Sequence, residues 1–256
     1  MMLLLDIGNS RIKWAWHDKD GLRKDGNASH KGSEDPTLLF EQCWGATDPG
    51  PSRLVVANVA GGTMADALTE WCQDRWQITP HFIAVSKSAA GVNNGYREPE
   101  HLGVDRWAAM IGARHRAAGS AVVVDCGTAI TIDVLARGGK HSGGLILPGI
   151  GMMAGCVLAG THGVDRPVAG NDGRTRGALL ARDTKEAVEA GTLYAAVAFL
   201  DRVLNDVRAE LGDKTRAWIT GGDAPRLLGL INPAFEHAPL LVLEGLLKLA
   251  QEGDGK

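Results

Sequence analysis

Two short stretches of this chain carry the same chemistry. Leu3-Leu4-Leu5-Asp6-Ile7-Gly8-Asn9-Ser10 and Val122-Val123-Val124-Asp125-Cys126-Gly127-Thr128-Ala129 each run three apolar residues into Asp, one small or apolar residue, Gly and a small polar residue. A tight turn after a strand leaves backbone N–H groups pointing outward, an arrangement that suits phosphate oxygens. Asn9, Ser10 and Thr128 add side-chain donors at the same place, and the nearby Asp can hold a cation directly or through water. A single Asp-x-Gly after a strand is a common hairpin turn. Two copies in matching context point instead to phosphate binding. They lie close to half the chain apart, so a duplicated domain is the economical explanation, with halves 1–118 and 119–256 and a boundary near Gly119.

The elements that must position these turns follow from hydrophobic periodicity. Residues 2–7 read as a buried strand, and Ile12, Trp14 and Trp16 alternate as a returning antiparallel strand. Residues 17–31 are polar and read as an exposed hairpin and loop. Asp35-Pro36 opens a helix through Trp44. Residues 54–59 form a buried strand, 63–76 a helix with Met64, Leu68 and Trp71 at helical spacing, and 78–85 a further strand. Residues 91–103, rich in Gly, Asn and Pro, read as a loop over a site, and Asp105 starts a helix. In the second half, 122–125, 130–135 and 145–147 read as strands and a helix begins near Met152. Thr184–Leu211 is a long helix with Gly191 as its weak point, 217–220 is a strand ending at Gly221-Gly222, and 240–250 is an apolar helix. Strands alternating with helices place the chain in the α/β class.

Composition narrows the function classes. The 256 residues are 45% hydrophobic and 22% charged, enough for a full core, and the formal net charge is −3. Without a run of Lys or Arg, neither nucleic acid nor an anionic membrane is an expected partner. Cys43, Cys72, Cys126 and Cys156 are scattered, and no His stands at metal-ligand spacing, which argues against structural zinc and a disulfide framework. The apolar patch Leu3-Leu4-Leu5 is too short for a signal segment or a membrane span, so the expected location is cytoplasmic.

Asp6 to Ser10 and Asp125 to Thr131 resemble the paired phosphate turns of the acetate and sugar kinase, heat-shock chaperone and actin superfamily, and Thr220-Gly221-Gly222-Asp223-Ala224 is similar to its adenosine element. Within it the chain resembles the type III pantothenate kinases over nearly its whole length. The resemblance rests on Asp6-Ile7-Gly8-Asn9-Ser10 with Lys13, Tyr96, Leu102-Gly103-Val104-Asp105-Arg106-Trp107, Asp125-Cys126-Gly127-Thr128-Ala129, Gly143-Gly144, Pro148-Gly149, Thr184 and Thr220-Gly221-Gly222-Asp223.

That resemblance implies an α/β fold of two similar actin-like (ribonuclease H-like) half-domains, with mixed sheets flanked by helices and the nucleotide in the cleft between them. It implies ATP-dependent phosphorylation of pantothenate in a homodimer, with magnesium and a monovalent cation, potassium or ammonium. Asp105 would be the general base for the pantothenate hydroxyl. Tyr96, Gly103, Val104, Asp105 and Arg106 would line the pantothenate site, with Thr184 supplied by the partner subunit. Asp6, Ile7, Gly8, Asn9, Ser10, Arg11, Ile12, Lys13 and Thr128 would contact the nucleotide phosphates, and Asp125 would bind the monovalent cation. Phosphoryl transfer depends mainly on positioning and charge neutralisation, and a carboxylate beside the attacking hydroxyl accepts its proton as attack proceeds. Arg106 could pair with the pantothenate carboxylate.

Each assignment has a plainer rival. Asp105 and Thr184 both stand where helix caps would, Tyr96 could only pack a loop, and Arg106 could serve a structural ion pair. The segment 166–183, which precedes Thr184, follows the family pattern only loosely. Gly149-Ile150-Gly151-Met152-Met153-Ala154 fits G-x-G-x-x-A, but no strand ending in an acid follows at the distance a dinucleotide needs. A non-catalytic regulator, or a kinase for a sugar or short acid, are the remaining alternatives.

Overall fold

Three consecutive leucines open the first strand of a computed structural model that describes residues 1–32, 35–160 and 180–253. Strand β1 (Met2–Ile7) turns back into β2 (Arg11–Asp18), which pairs with β3 (Gly21–Ser29). Helix α1 (Pro36–Trp44) starts on Asp35, whose side chain accepts from the Thr37 N–H, with Pro at the first turn. Next come β4 (Arg53–Asn58), α2 (Gly62–Trp76) and β5 (His81–Phe82). A small hairpin of β6 (Ser88–Ala89) and β7 (Val92–Asn93) and a 3-10 turn (Pro99–His101) lead to α3 (Val104–Arg116). The second half brings β8 (Ala121–Cys126), β9 (Ala129–Leu135), β10 (His141–Pro148), α4 (Ile150–Ala159) and α5 (Thr184–Leu211). It closes with β11 (Arg216–Thr220), α6 (Ala224–Leu227), β12 (Phe235–His237) and α7 (Leu241–Gly253).

The two five-stranded sheets have matching orders, β3-β2-β1-β4-β5 and β10-β9-β8-β11-β12. In the first, β1 is antiparallel to β2 and parallel to β4, and β4 is parallel to β5. In the second, β8 and β9 are joined by a two-residue turn, which only an antiparallel pair permits. β11 is parallel to both β8 and β12. The expected mixed sheets flanked by helices are therefore both present. Register places Asp6 between Lys13 and Ala57, and Asp125 beside Thr220.

The chain forms two compact units. One is Met1–Gly119 with Leu135–Gly143 and Leu240–Lys256, and the other is Ser120–Val134 with Gly144–Pro239. The first break follows Gly119, and the last helix belongs to the first unit. The reason is packing: α7 lies on α3, β1 and β4. Alternation sends Leu3, Leu5, Ile7, Leu54 and Val56 to one face of the first sheet, against Phe40 and Trp44 of α1 and Leu68, Trp71 and Cys72 of α2. Leu4 and Val55, buried on the opposite face, lie on the side of α3 and α7. In the second unit α5 lays Leu193, Ala196, Val197, Leu200 and Leu204 along Val122, Val124, Ile130, Ile132, Ala217 and Ile219.

The exposed hairpin expected within 17–31 is present: residues 21–29 form a largely solvated edge strand held by its antiparallel backbone pairing to β2, so side-chain alternation leaves no mark. Three other sequence expectations change. The strand expected over 78–85 shrinks to His81–Phe82 at a sheet edge. The loop 91–103 contains β7 and the 3-10 turn. Gly191 does not interrupt α5, which runs from Thr184 to Leu211.

Helices α3 and α7 meet backbone to backbone. A Cβ on Gly245 would collide with the Ala108 carbonyl, and one on Gly112 with the Leu241 carbonyl. Gly245→Ala is expected to destabilise the protein by about 1–3 kcal/mol through overpacking, read as a lower urea midpoint at unchanged m-value. Burial pushes the Cys72 thiol up from 9.0 to about 12. Above pH 9 the unfolded state releases that proton while the folded state keeps it, so folding stability falls as pH rises from 9 toward 12. Cys72→Ala removes this component, and its melting temperature is expected to decline less steeply across that window than the wild type's.

Candidate active site

The β1–β2 turn is built to present amides. Gly8 N–H closes it onto the Arg11 carbonyl at 3.0 Å. The carbonyls are held from the far side: the Gly8 oxygen lies 2.7 Å from His30 Nε2, and the Ser10 oxygen accepts from the His30 N–H at 3.1 Å and the Ser29 hydroxyl at 3.4 Å. Asp6 is buried at the strand end, facing Lys13 across the pair, while Asn9 and Arg11 are exposed and Gly8 and Ser10 half-exposed. Arg11 donates to Asn27 Oδ1 at 2.6 Å. Ile7 and Ile12 place their side chains in the core, so anything they offer a nucleotide comes from the main chain.

The β8–β9 turn repeats the device with different donors. Gly127 N–H bonds the Ala129 carbonyl at 3.0 Å, the Cys126 carbonyl accepts from Asp223 N–H at 2.9 Å, and the Thr128 carbonyl accepts from Gly149 N–H at 3.0 Å. Gly221, at φ +98°, lies so close to this turn that a Cβ would strike the Cys126 backbone. The Gly-Gly element after β11 therefore packs onto the turn as well as following a strand. Asp125 is half-buried, Thr128 exposed and Thr220 buried. Cys126 is buried, and burial, reinforced by the negative charges of Asp125 and Asp223, pushes its thiol far up. It stays protonated and unreactive at neutral pH.

The third group of residues lies in the first unit. Gly103 is the N-cap of α3, Val104 is buried in its first turn, and Asp105 is the second helical residue. Asp105 is thus not the cap; its carboxylate accepts from the Arg106 N–H at 2.8 Å and is half-buried. Arg106 is buried, donates from Nη1 to the Tyr96 phenol oxygen at 2.7 Å, and lies over that ring at 5.5 Å. Tyr96, Asp105 and Arg106 are therefore brought together. Thr184 is exposed at the first position of α5, where Asp183 is the cap and accepts from Glu186 N–H at 2.9 Å, so Thr184 does not have the capping role either. Most of the loosely matching segment, 166–179, lies outside the described residues.

Two further residues stand out in the structure and not in the sequence. His30 holds the β1–β2 turn and His141 stacks on Tyr96 at 5.8 Å and 15°. Neither belongs to a motif, and each reaches its contact across a strand pairing that spacing does not encode.

The chain as a whole resembles proteins of one family. A family model for type III pantothenate kinase matches residues 2–206. The type III pantothenate kinase of Nitrosococcus oceani is 43% identical over 257 residues, 98% of this chain and 94% of its own. That of Alcanivorax borkumensis is 37% identical, covering 98% of both chains. Among solved structures, one described as a Baf-family transcriptional activator from Campylobacter jejuni matches with TM-score 0.60 at 22% identity, covering 99% of this chain and 100% of its own. One assigned as a 2-dehydro-3-deoxygalactonokinase from Sinorhizobium meliloti gives 0.56 at 16%, covering 98% and 96%. Those two likenesses bear on the fold alone, a two-unit actin-like architecture. On the family match and the near-full-length identities, the chain belongs to the type III pantothenate kinase family.

Proposed function

We propose that this protein transfers the γ-phosphoryl group of ATP to the hydroxyl of pantothenate, giving 4′-phosphopantothenate and ADP, the first step of coenzyme A synthesis. The observation that carries this reading is the family match across most of the chain, with Asp105 in the first turn of α3 next to Arg106, whose guanidinium bonds Tyr96. Asp105 accepts the hydroxyl proton while the new P–O bond forms and the bond from the γ-phosphorus to its bridging oxygen breaks. Asp105 is not the N-cap of its helix, which supports a role beyond capping.

Gly103, Val104, Arg106 and Tyr96 line the pantothenate site. Asp6, Ile7, Gly8, Asn9, Ser10, Arg11, Ile12, Lys13 and Thr128 contact the nucleotide phosphates, the two isoleucines through their main chain. The inward-held carbonyls of both turns support this assignment. Asp125 holds potassium or ammonium. Its register neighbour Thr220 and the adjoining turn offer oxygen atoms, a donor set that fits hard cations. Among the described residues no cluster of three or more His, Cys, Asp or Glu could hold a metal ion. That fits a magnesium ion bound chiefly through the substrate phosphates. The cations offset charge on the phosphates.

The functional unit is a homodimer in which Thr184 of one subunit completes the pantothenate site of the other. Leu145 and Ile146 of β10 and Met152 and Val157 of α4, all exposed, supply the apolar surface such an association buries. The acidic net charge supports small-molecule substrates over nucleic acid. Among the described residues no helix is long and apolar enough to cross a membrane. The two halves, 1–118 and 119–256, descend from one duplicated unit, a reading supported by their matching sheet orders.

Two outcomes test the reading. Asp105→Asn keeps an acceptor for the Arg106 N–H and is expected to retain the wild-type melting temperature while kcat falls about 100- to 10,000-fold. Full activity in this variant would remove the general-base role. Replacing potassium by sodium is expected to abolish most turnover, with ammonium restoring it. Activity indifferent to the monovalent cation would overturn the Asp125 assignment, and no turnover of pantothenate by the folded wild type would overturn the substrate.

A further inference from the structure

The loop that carries Tyr96 is fastened to the start of β10 and the residues just before it. Asn93 N–H donates to the Gly139 carbonyl at 2.9 Å, and Asn93 forms a parallel bridge with Lys140. Gly95 N–H donates to His141 Nδ1 at 3.4 Å. A Cβ at Gly95 would collide with the His141 carbonyl, so only glycine lets the loop approach this closely. The His141 ring is 1% exposed and nearly parallel to the Tyr96 ring, with centroids 5.8 Å apart and 15° between planes. Asn94 Oδ1 accepts from the Tyr96 N–H at 2.9 Å, and Arg106 donates to the phenol oxygen at 2.7 Å. The tyrosine is thus held at its backbone, its ring and its oxygen.

That restraint has a chemical consequence. Among the described residues the phenol's hydrogen bond is one it accepts, from Arg106. Its own O–H is left to donate to an oxygen of a ligand. Pantothenate is a chain of rotatable bonds bearing carbonyl, carboxylate and hydroxyl oxygens, so its binding gains most from donors already in place.

We propose that His141 is a positioning residue for the acceptor substrate: by stacking its ring on Tyr96, it holds the phenol where its O–H meets pantothenate. This rests on Tyr96 belonging to the pantothenate site. A histidine that served only the core would lower stability and leave the Michaelis constants alone. A positioning residue instead raises the KM for pantothenate and spares that for ATP, and it acts only through Tyr96.

The test is a double-mutant cycle on the whole enzyme, with steady-state kinetics in both substrates and a melting temperature for each variant. Tyr96→Ala and His141→Ala are each expected to raise the pantothenate KM about tenfold, with kcat and the ATP KM within about threefold of wild type. The double variant is expected to be no worse than Tyr96→Ala alone. His141→Phe keeps a flat ring and is expected to stay within about threefold of wild type, while His141→Asn keeps an acceptor without a full ring and behaves like His141→Ala. If His141→Ala does not fold, His141→Asn takes its place in the cycle. An unchanged pantothenate KM on losing the ring, equal increases for both substrates, or additive effects in the double variant would overturn the inference. If Tyr96→Ala itself leaves the pantothenate KM unchanged, the site assignment fails first, an outcome distinct from additivity.

Discussion

A peptide group in a tight turn offers either its carbonyl or its N–H to whatever approaches, and that choice decides whether the turn repels phosphate or attracts it. In this protein both Asp-x-Gly turns have carbonyls held by neighbouring protein groups. His30 and Ser29 hold the oxygens of Gly8 and Ser10, and Asp223 and Gly149 hold those of Cys126 and Thr128. Each bond is modest by itself, about 0.5–1.5 kcal/mol net. Their combined effect is orientational, because oriented backbone amides act as fixed partial positive charges toward an anion. In a chain whose net charge is −3, local dipoles of this kind are groups suited to meet an anion.

Much of the surrounding architecture serves that orientation. The matching sheets place each Asp-x-Gly turn at the end of a buried central strand, where strong pairing on both sides leaves little freedom. The donors that hold the carbonyls come from segments folded back by the same sheets: the end of β3 in the first unit, and the turns after β10 and β11 in the second. Close backbone approaches complete the arrangement. Gly221 lets the turn after β11 reach Cys126, and Gly112 with Gly245 lets α3 and α7 meet without intervening side chains. The second approach matters to chemistry because α3 carries Asp105 and Arg106 at its start.

The sequence was most legible where one residue type had one physical job. Leu3-Leu4-Leu5 and Val122-Val123-Val124 could only be buried strands, and Asp35-Pro36 could hardly do other than start a helix. It was least legible where backbone pairing decided the outcome without help from side chains. Residues 21–29 form a solvated edge strand with no hydrophobic alternation, and β12 is three residues long. Helix caps misled for a related reason. Asp105 and Thr184 both look like caps in a linear reading, yet the caps are Gly103 and Asp183, because a shift of one or two residues in where the helix begins moves the role to a neighbour.

The linear order of residues was enough to reveal the duplicated Asp-x-Gly turns, the α/β class and the family, since each depends on local residue type and spacing. Tertiary structure alone decided which groups hold them. His30 meets Gly8 only after β2 and β3 have paired, and His141 meets Tyr96 only after Asn93 has bridged to Lys140, far along the chain. Residue spacing encodes the conformation of a segment. Which distant partner fills the space beside it is set by how sheets and helices pack.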